Sequence, residues 1–329
     1  MSSYLYSEGH YIRTVDDLFF AVKGGRHNNG VVLSTLRYIP SEFGEREYLG
    51  RPYKRVYDVE STTKFLKENY PKYINYINWL GMDLQSVPES LIEQVYDPRK
   101  RLQDIMSNPK SSLEKKIFCF VNRLAKKSGV SLSNFGVSGS VLIGLETEVS
   151  DIDLNIYGEN EGREVYVALK ELRRELPWIS GYDEDTVWPV ILSRWGETGL
   201  NLEQLRSIEC RKILHGKIRG VDYFIRLLIE EDQSVSEPLT RVTVSGTITE
   251  DSKSIYIPCT YRVEDLNIED SGSKYSVVEL KSYRGKFTEQ VKKGEKIMAK
   301  GTLERVYSDG DIYYRLILGK KEDYLLSIR

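Results

Sequence analysis

The amino-acid sequence predicts an α+β protein: a central core of helices and a small mixed sheet, flanked by an N-terminal β-rich and helical region and a C-terminal β-barrel. Three observations carry this expectation. Turn-punctuated runs of β-branched and aromatic residues fill positions 1–60 and 236–329. Between 111 and 235, amphipathic helical stripes alternate with short apolar strands. A chain of 329 residues is also long enough for two or three separate cores.

In the N-terminal module, Tyr11-Ile12-Arg13, Leu18 to Val22, Val31 to Tyr38 and Arg55 to Val59 read as strands. Turn signals at Lys23-Gly24-Gly25, Asn28-Asn29-Gly30 and Phe43-Gly44 separate them. The Lys23 to Gly30 segment looks like a substrate loop, but glycine, asparagine and a lone histidine are ordinary hairpin material, so a turn is the preferred reading. Residues 61–110 are expected to form a helical connector, with Thr63, Leu66, Tyr70, Tyr73 and Ile77 as its apolar stripe and Pro71, Pro88 and Pro98 as breaks.

The central domain is expected over 111–235. Ser111 reads as an N-cap followed by Glu114 in the first turn, and Ile117, Phe120, Val121 and Leu124 form a stripe that ends at Ser128-Gly129. Phe135 to Ser138 reads as a strand entering a turn at Gly139-Ser140, and Val141 to Gly144 as helical or turning away. Glu164 to Leu176 and Leu202 to Leu214 read as surface helices.

Asp151-Ile152-Asp153-Leu154-Asn155-Ile156 alternates with period two, which places both aspartates on one side of a strand. Carboxylates at i and i+2 are about 6 to 7 Å apart and repel by roughly 2.5 kcal/mol at an effective dielectric near 20. A divalent cation relieves that strain, and oxygen ligands with room for water and phosphate suit Mg²⁺ or Mn²⁺ better than zinc. Gly139 would let a phosphate approach the backbone, and Ser140 would offer its hydroxyl and N–H. A lone Asp-x-Asp or a lone Gly-Ser is usually a solvated face or a turn, but the two at this spacing point to a metal-bound nucleotide triphosphate.

The run Gly139-Ser140-x-x-x-Gly144-x-x-x-x-x-Ser150-Asp151-x-Asp153-Leu154 resembles the signature of the DNA polymerase β-like nucleotidyltransferase superfamily over 16 residues. The whole chain is also similar to an uncharacterised, largely archaeal group of predicted nucleotidyltransferases. The resemblance implies a nucleotidyltransferase-like core in which Ser138, Gly139 and Ser140 hold the triphosphate and Asp151 and Asp153 bind metal. It also implies a third carboxylate on a neighbouring strand. Asp222, in the strand-like run Val221 to Leu228, is the first candidate, with Arg226 on its face as ion-pair partner or phosphate ligand. Glu209, in a helix-like charged stretch, is the weaker alternative.

The C-terminal domain, 236–329, carries alternating runs at 241–248, 255–257, 275–280, 296–303 and 313–318, which resemble an OB-like barrel. Tyr261-Arg262, Lys281 to Phe287 and Lys292-Lys293 would let such a barrel bind RNA or another single strand. The competing and preferred reading packs Tyr283 and Phe287 into the core and leaves the lysines as solvated edge protection.

A net charge of -2 advertises no global nucleic-acid field. Cys119, Cys210 and Cys259 form no CxxC pair, which argues against a zinc site or a disulfide framework. His10 and His215 lack a serine or cysteine nucleophile pattern, so hydrolase chemistry finds no support. With no charged-then-apolar leader and no apolar run of spanning length, a cytoplasmic protein that avoids membranes is expected. The expected activity is transfer of a nucleoside monophosphate from an NTP, ATP favoured, to a hydroxyl of RNA, protein or a small molecule. The alternative is a nucleotide- or nucleic-acid-binding protein that keeps the fold without turnover.

Overall fold

The structure is a computed structural model that describes residues 6–196, 198–268, 275–308 and 310–328. It is a mixed α+β chain with three sheets. Two compact units are formed: residues up to Ile156 together with Val221–Phe224, and Tyr157–Gly220 together with the chain from Ile225 onward.

The first unit opens with a curled half-barrel. Its strands are β1 (Tyr11–Thr14), β2 (Phe19–Val22), β3 (Val31–Pro40), β4 (Arg46–Tyr48), β5 (Arg51–Arg55), β6 (Ile74–Ile77), β7 (Met82–Pro88) and β8 (Ile92–Tyr96). They are ordered β4-β5-β3-β2-β1-β8, with β7 bridging β3 to β6. Both faces of β2 are buried, and alternation explains how. Phe20 and Val22 join Ile12, Val32, Leu36 and Leu66 of helix α1 (Val59–Asn69) on one side. Phe19 and Ala21 join Tyr11, Tyr38 and Tyr53 on the other, where Leu142, Ile143 and Leu145 cover them.

The region 61–110 differs from the helical connector expected there. Helices are confined to α1 and α2 (Pro98–Ser107), and β6, β7 and β8 return to the half-barrel between them. Pro71 prevents α1 from continuing, and the β-branched and aromatic residues after it pair more readily than they wind. Tyr73 and Ile77 are fully buried as expected, but from a 3₁₀ turn and a strand. The strand expected over Arg55 to Val59 also ends early: Asp58 accepts from Ser61 N and caps α1.

Helix α3 (Ser112–Ser128) starts in a capping box between Ser111 and Glu114 and stops at Gly129, with φ 72°. Ile117, Phe120, Val121 and Leu124 are its buried face. Strand β9 (Phe135–Val137), helix α4 (Gly139–Ile143) and strand β10 (Ile152–Tyr157) follow.

The second unit contains α5 (Glu159–Glu175), β11 (Ile179–Ser180), α6 (Trp188–Trp195), α7 (Glu203–Arg211), β12 (His215–Ile218) and most of the C-terminal strands. Strand β13 (Val221–Leu228) is shared by the two units. The mixed central sheet has the order β11-β12-β13-β10-β9. The strands expected at 241–248, 275–280, 296–303 and 313–318 become β14 (Val235–Glu250), β17 (Val277–Ser282), β18 (Lys296–Ser308) and β19 (Asp311–Ile317). The run at 255–257 becomes β15 (Tyr256–Ile257), which pairs in parallel with β13 instead of joining the barrel. Strand β16 (Cys259–Ile268) takes its place, and β20 (Tyr324–Ser327) adds to β18. The order β14-β16-β17-β19-β18, closed by pairing of β18 with β14, is a five-stranded ring of the OB-like kind. Val244, Leu280, Leu303 and Leu316 share its core with Trp195 of α6 and Leu205 of α7.

Candidate functional site

The Gly-Ser and Asp-x-Asp segments meet in the first unit. Strands β9 and β10 pair antiparallel with Leu154 opposite Val137, so Asp153 lies beside Ser138, whose N–H donates to the Asp153 carbonyl at 2.9 Å. The chain then turns through Gly139 at φ 65° into α4 and leaves it at Gly144, φ 70°. Both angles are left-handed, which favours glycine. Gly139 has a second reason to be bare. A Cβ there would lie 3.2 Å from Asp153 Cγ and well inside contact distance of its Oδ2. The Asp153 carboxylate therefore rests directly against the glycine that the sequence marks as a phosphate approach.

Other parts of the motif hold it together. Ser138 is fully buried, and its hydroxyl donates to the Gly9 carbonyl at 2.8 Å, so it anchors the turn to the N-terminal segment. Ser140 Oγ bonds Ser150 Oγ at 3.2 Å, and Ser150 Oγ accepts from Thr147 N at 2.8 Å. These bonds fasten the residue before Asp151 to the turn. The sequence suggests that one face of the Asp-x-Asp strand is buried, but both are: Asp153 is 8% exposed and Asn155 0%. The cover on the polar face includes Gly9, where a side chain would collide with the Asn155 amide. Asp151, at the strand's mouth, is half-buried.

The half-barrel adds cations that local spacing in the sequence does not reveal. Arg46 of β4 donates through Nη1 to the Leu145 carbonyl and to Ser150 Oγ, the latter at 3.3 Å. Its guanidinium carbon lies 5.8 Å from the centre of the Tyr38 ring. Tyr38 pairs across the sheet with Arg55 of β5, and the Arg55 guanidinium carbon lies 4.2 Å from the centre of the Tyr57 ring. Burial alone would lower the Arg55 pKa, but Tyr38, Tyr57, Asp151 and Asp153 together raise it. The only sequence signal for this group is the recurrence of arginine and tyrosine at the strand ends.

Asp222 is exposed at the start of β13, on the face it shares with Phe224 and Arg226, while Tyr223, Ile225 and Leu227 are buried on the other. Among the described residues no three His, Cys, Asp or Glu side chains are grouped to hold a metal ion. Glu209 belongs elsewhere. Its fully buried carboxylate receives Trp195 Nε1 at 2.8 Å, Lys212 Nζ at 2.9 Å and Arg194 Nη1 at 3.1 Å, all in the second unit. Burial would raise its pKa, but Lys212, Arg194 and His215 hold it down to about 2. With three donors already on it, this carboxylate is a structural ion-pair partner.

Of the barrel's basic residues, Arg262, Lys292 and Lys293 are exposed, as solvated edge charges are expected to be, but two lysines are internal. Lys281 is 3% exposed and pairs with Asp232 at 2.8 Å. Lys286 is 5% exposed, and its Nζ donates to the carbonyls of Arg194, Lys321 and Asp323. Phe287 is fully buried, as the core-packing reading expects, but these two lysines are not solvated. Their charge serves the unit's interior. In the Lys23 to Gly30 segment, His27 is engaged by Tyr6 O and Leu33 N and Asn28 by Tyr76 O, which are turn-stabilising bonds. No helix among the described residues is long and apolar enough to cross a membrane.

No protein-family model matches the chain, and no solved structure matches it significantly. It is 27% identical to an uncharacterised protein of Methanocaldococcus jannaschii, in an alignment that covers 94% of each chain. The protein is thus a distant homologue of an uncharacterised archaeal protein.

Proposed function

We propose that this homologue of an uncharacterised archaeal protein is a metal-dependent nucleotidyltransferase. It would move the nucleoside monophosphate of an NTP, ATP by preference, to a hydroxyl acceptor and release pyrophosphate. The observation that carries the reading is the bare, left-handed Gly139 set against the Asp153 carboxylate. That arrangement seats the Asp153 carboxylate directly on the motif turn, in a place that any Cβ at 139 would take from it. Two carboxylates with room for phosphate oxygens and water fit Mg²⁺ or Mn²⁺, which are commonly held by one or two protein carboxylates plus substrate. Asp151 and Asp153 would hold the ion, which when bound neutralises phosphate charge and stabilises the departing pyrophosphate.

The chain's own residues do the positioning, which is most of the catalytic work in phosphoryl and nucleotidyl transfer. Gly139, which carries no Cβ, would let a phosphate approach the backbone once the Asp153 carboxylate turns to the metal. Ser138 ties the turn to Gly9, and the Ser140 to Ser150 bond fixes the mouth of the strand on which Asp151 lies. The acceptor hydroxyl gives its proton to water as its oxygen bonds to the α-phosphorus, and the bond to the pyrophosphate oxygen breaks.

The exposure of Asp222 favours a second reading, a nucleotide-binding protein without turnover. Incubation with each α-labelled NTP, Mg²⁺ or Mn²⁺ and RNA, protein or small-molecule acceptors separates the two. Transfer that disappears in Asp151→Ala and Asp153→Ala supports the transferase. Transfer that survives both substitutions refutes the site. Nucleotide binding that needs both aspartates, with no transfer to any acceptor, identifies the second reading.

A further inference from the structure

We infer that the N-terminal half-barrel completes the nucleotide site, with Arg55 as a ligand of the triphosphate and Tyr57 as the platform on which the base stacks. The inference rests on the nucleotidyltransferase reading and deepens it.

The geometry is a row of alternating cations and rings: Arg46 over Tyr38, Tyr38 paired across the sheet with Arg55, and Arg55 over Tyr57. One end of the row is tied to the motif, because Arg46 donates to Leu145 O and to Ser150 Oγ, next to Asp151. The rings differ in exposure in a way that assigns them different work. Tyr38 is 1% exposed and is a core residue, whereas Tyr57 is 58% exposed although its ring is already held by a guanidinium 4.2 Å away. An exposed ring backed by a cation beside a phosphate site is suited to carry a base on its free face. Arg55 lies opposite Tyr38, and the Arg46 guanidinium on that same ring is bonded to Ser150, the residue before Asp151. A guanidinium so placed matches phosphate oxygens in a forked geometry that lysine cannot reproduce.

The test is calorimetric titration of the full chain with two probes, Mg²⁺–ATP and Mg²⁺–tripolyphosphate, the second lacking a base. Arg55→Ala should weaken both by about tenfold or more, with Arg55→Lys recovering only part. Tyr57→Ala should weaken ATP by about five- to a hundredfold and leave tripolyphosphate unchanged, and Tyr57→Phe should restore ATP binding. Because Tyr57 is exposed, its substitution leaves the fold intact, and an unchanged unfolding midpoint verifies that. Equal losses on both probes for Tyr57→Ala overturn the stacking role. Parent-like affinity in both alanine variants, with binding lost in Asp153→Ala, overturns the inference and leaves the transferase reading standing. Failure of the parent chain to bind any of the four NTPs with Mg²⁺ or Mn²⁺ removes the reading itself, and the inference with it.

Discussion

Gly139→Ala separates a glycine required by backbone conformation from one required by a carboxylate. At φ 65° an alanine costs about 1–2 kcal/mol in left-handed strain. Gly144, at φ 70° with no atom within 4 Å of the place an alanine methyl would take, carries the same backbone cost and nothing more. At Gly139 the methyl would also lie 3.2 Å from Asp153 Cγ and closer still to Oδ2, so the carboxylate must move by roughly 1 Å to reach normal contact. A displacement of that size at a reacting centre costs about a hundredfold. Gly144→Ala should thus lose about 1–2 kcal/mol in urea unfolding and keep its Mn²⁺–ATP affinity. Gly139→Ala should lose at least as much stability, weaken Mn²⁺–ATP binding where Gly144→Ala does not, and cost about a hundredfold in the rate of transfer. The clash itself is read by a double-mutant cycle: in an Asp153→Ala background, Gly139→Ala should cost no more than Gly144→Ala. If the two glycine variants are indistinguishable in both assays, the carboxylate contact has no consequence and the reasoning fails.

Two further outcomes test other parts of the account. Removing Glu209 leaves Lys212 and Arg194 without their shared carboxylate, so Glu209→Ala should lower unfolding stability by about 3–5 kcal/mol at neutral pH. Its pKa is depressed to about 2 from an ordinary 4.5, so the stabilisation is fully present above about pH 4.5 and is lost as pH falls toward 2; the advantage of the parent over Glu209→Gln should shrink across that window. Asp153 is buried against the Gly139 turn whereas Asp222 is exposed, so Asp222→Asn should lose less Mn²⁺–ATP affinity than Asp153→Asn; equal losses in titration would show that the two carry the metal equally.

The parts of the protein that were legible in its sequence are those fixed by local chemistry. Ser111, Glu114 and Gly129 announce both ends of α3 because capping is decided within a few residues. The ring strands show as period-two runs, and Gly139 and Gly144 stand at the two left-handed positions of the motif turn. What stayed hidden depends on distant pairing. Tyr73 and Ile77 keep a helical spacing from Leu66, yet Pro71 ends the helix and pairing with β7 makes the next segment a strand. Tyr256 and Ile257 carry a strand pattern that says nothing of whether they join the barrel or β13. Lys281 and Lys286 have the composition of a solvated edge, but Asp232 and three carbonyls receive their ammonium groups inside the unit. Arg46 reaches Ser150 across 104 positions, a contact created by sheet topology and invisible to any local window.

The most direct measurement is a crystal structure of the chain with Mn²⁺ and a non-hydrolysable ATP analogue, in which anomalous scattering locates the metal. The account predicts Mn²⁺ within about 2 Å of carboxylate oxygens from both Asp151 and Asp153, with the triphosphate over Gly139. Metal and nucleotide bound at another place, with Asp151 and Asp153 touching neither, would contradict it.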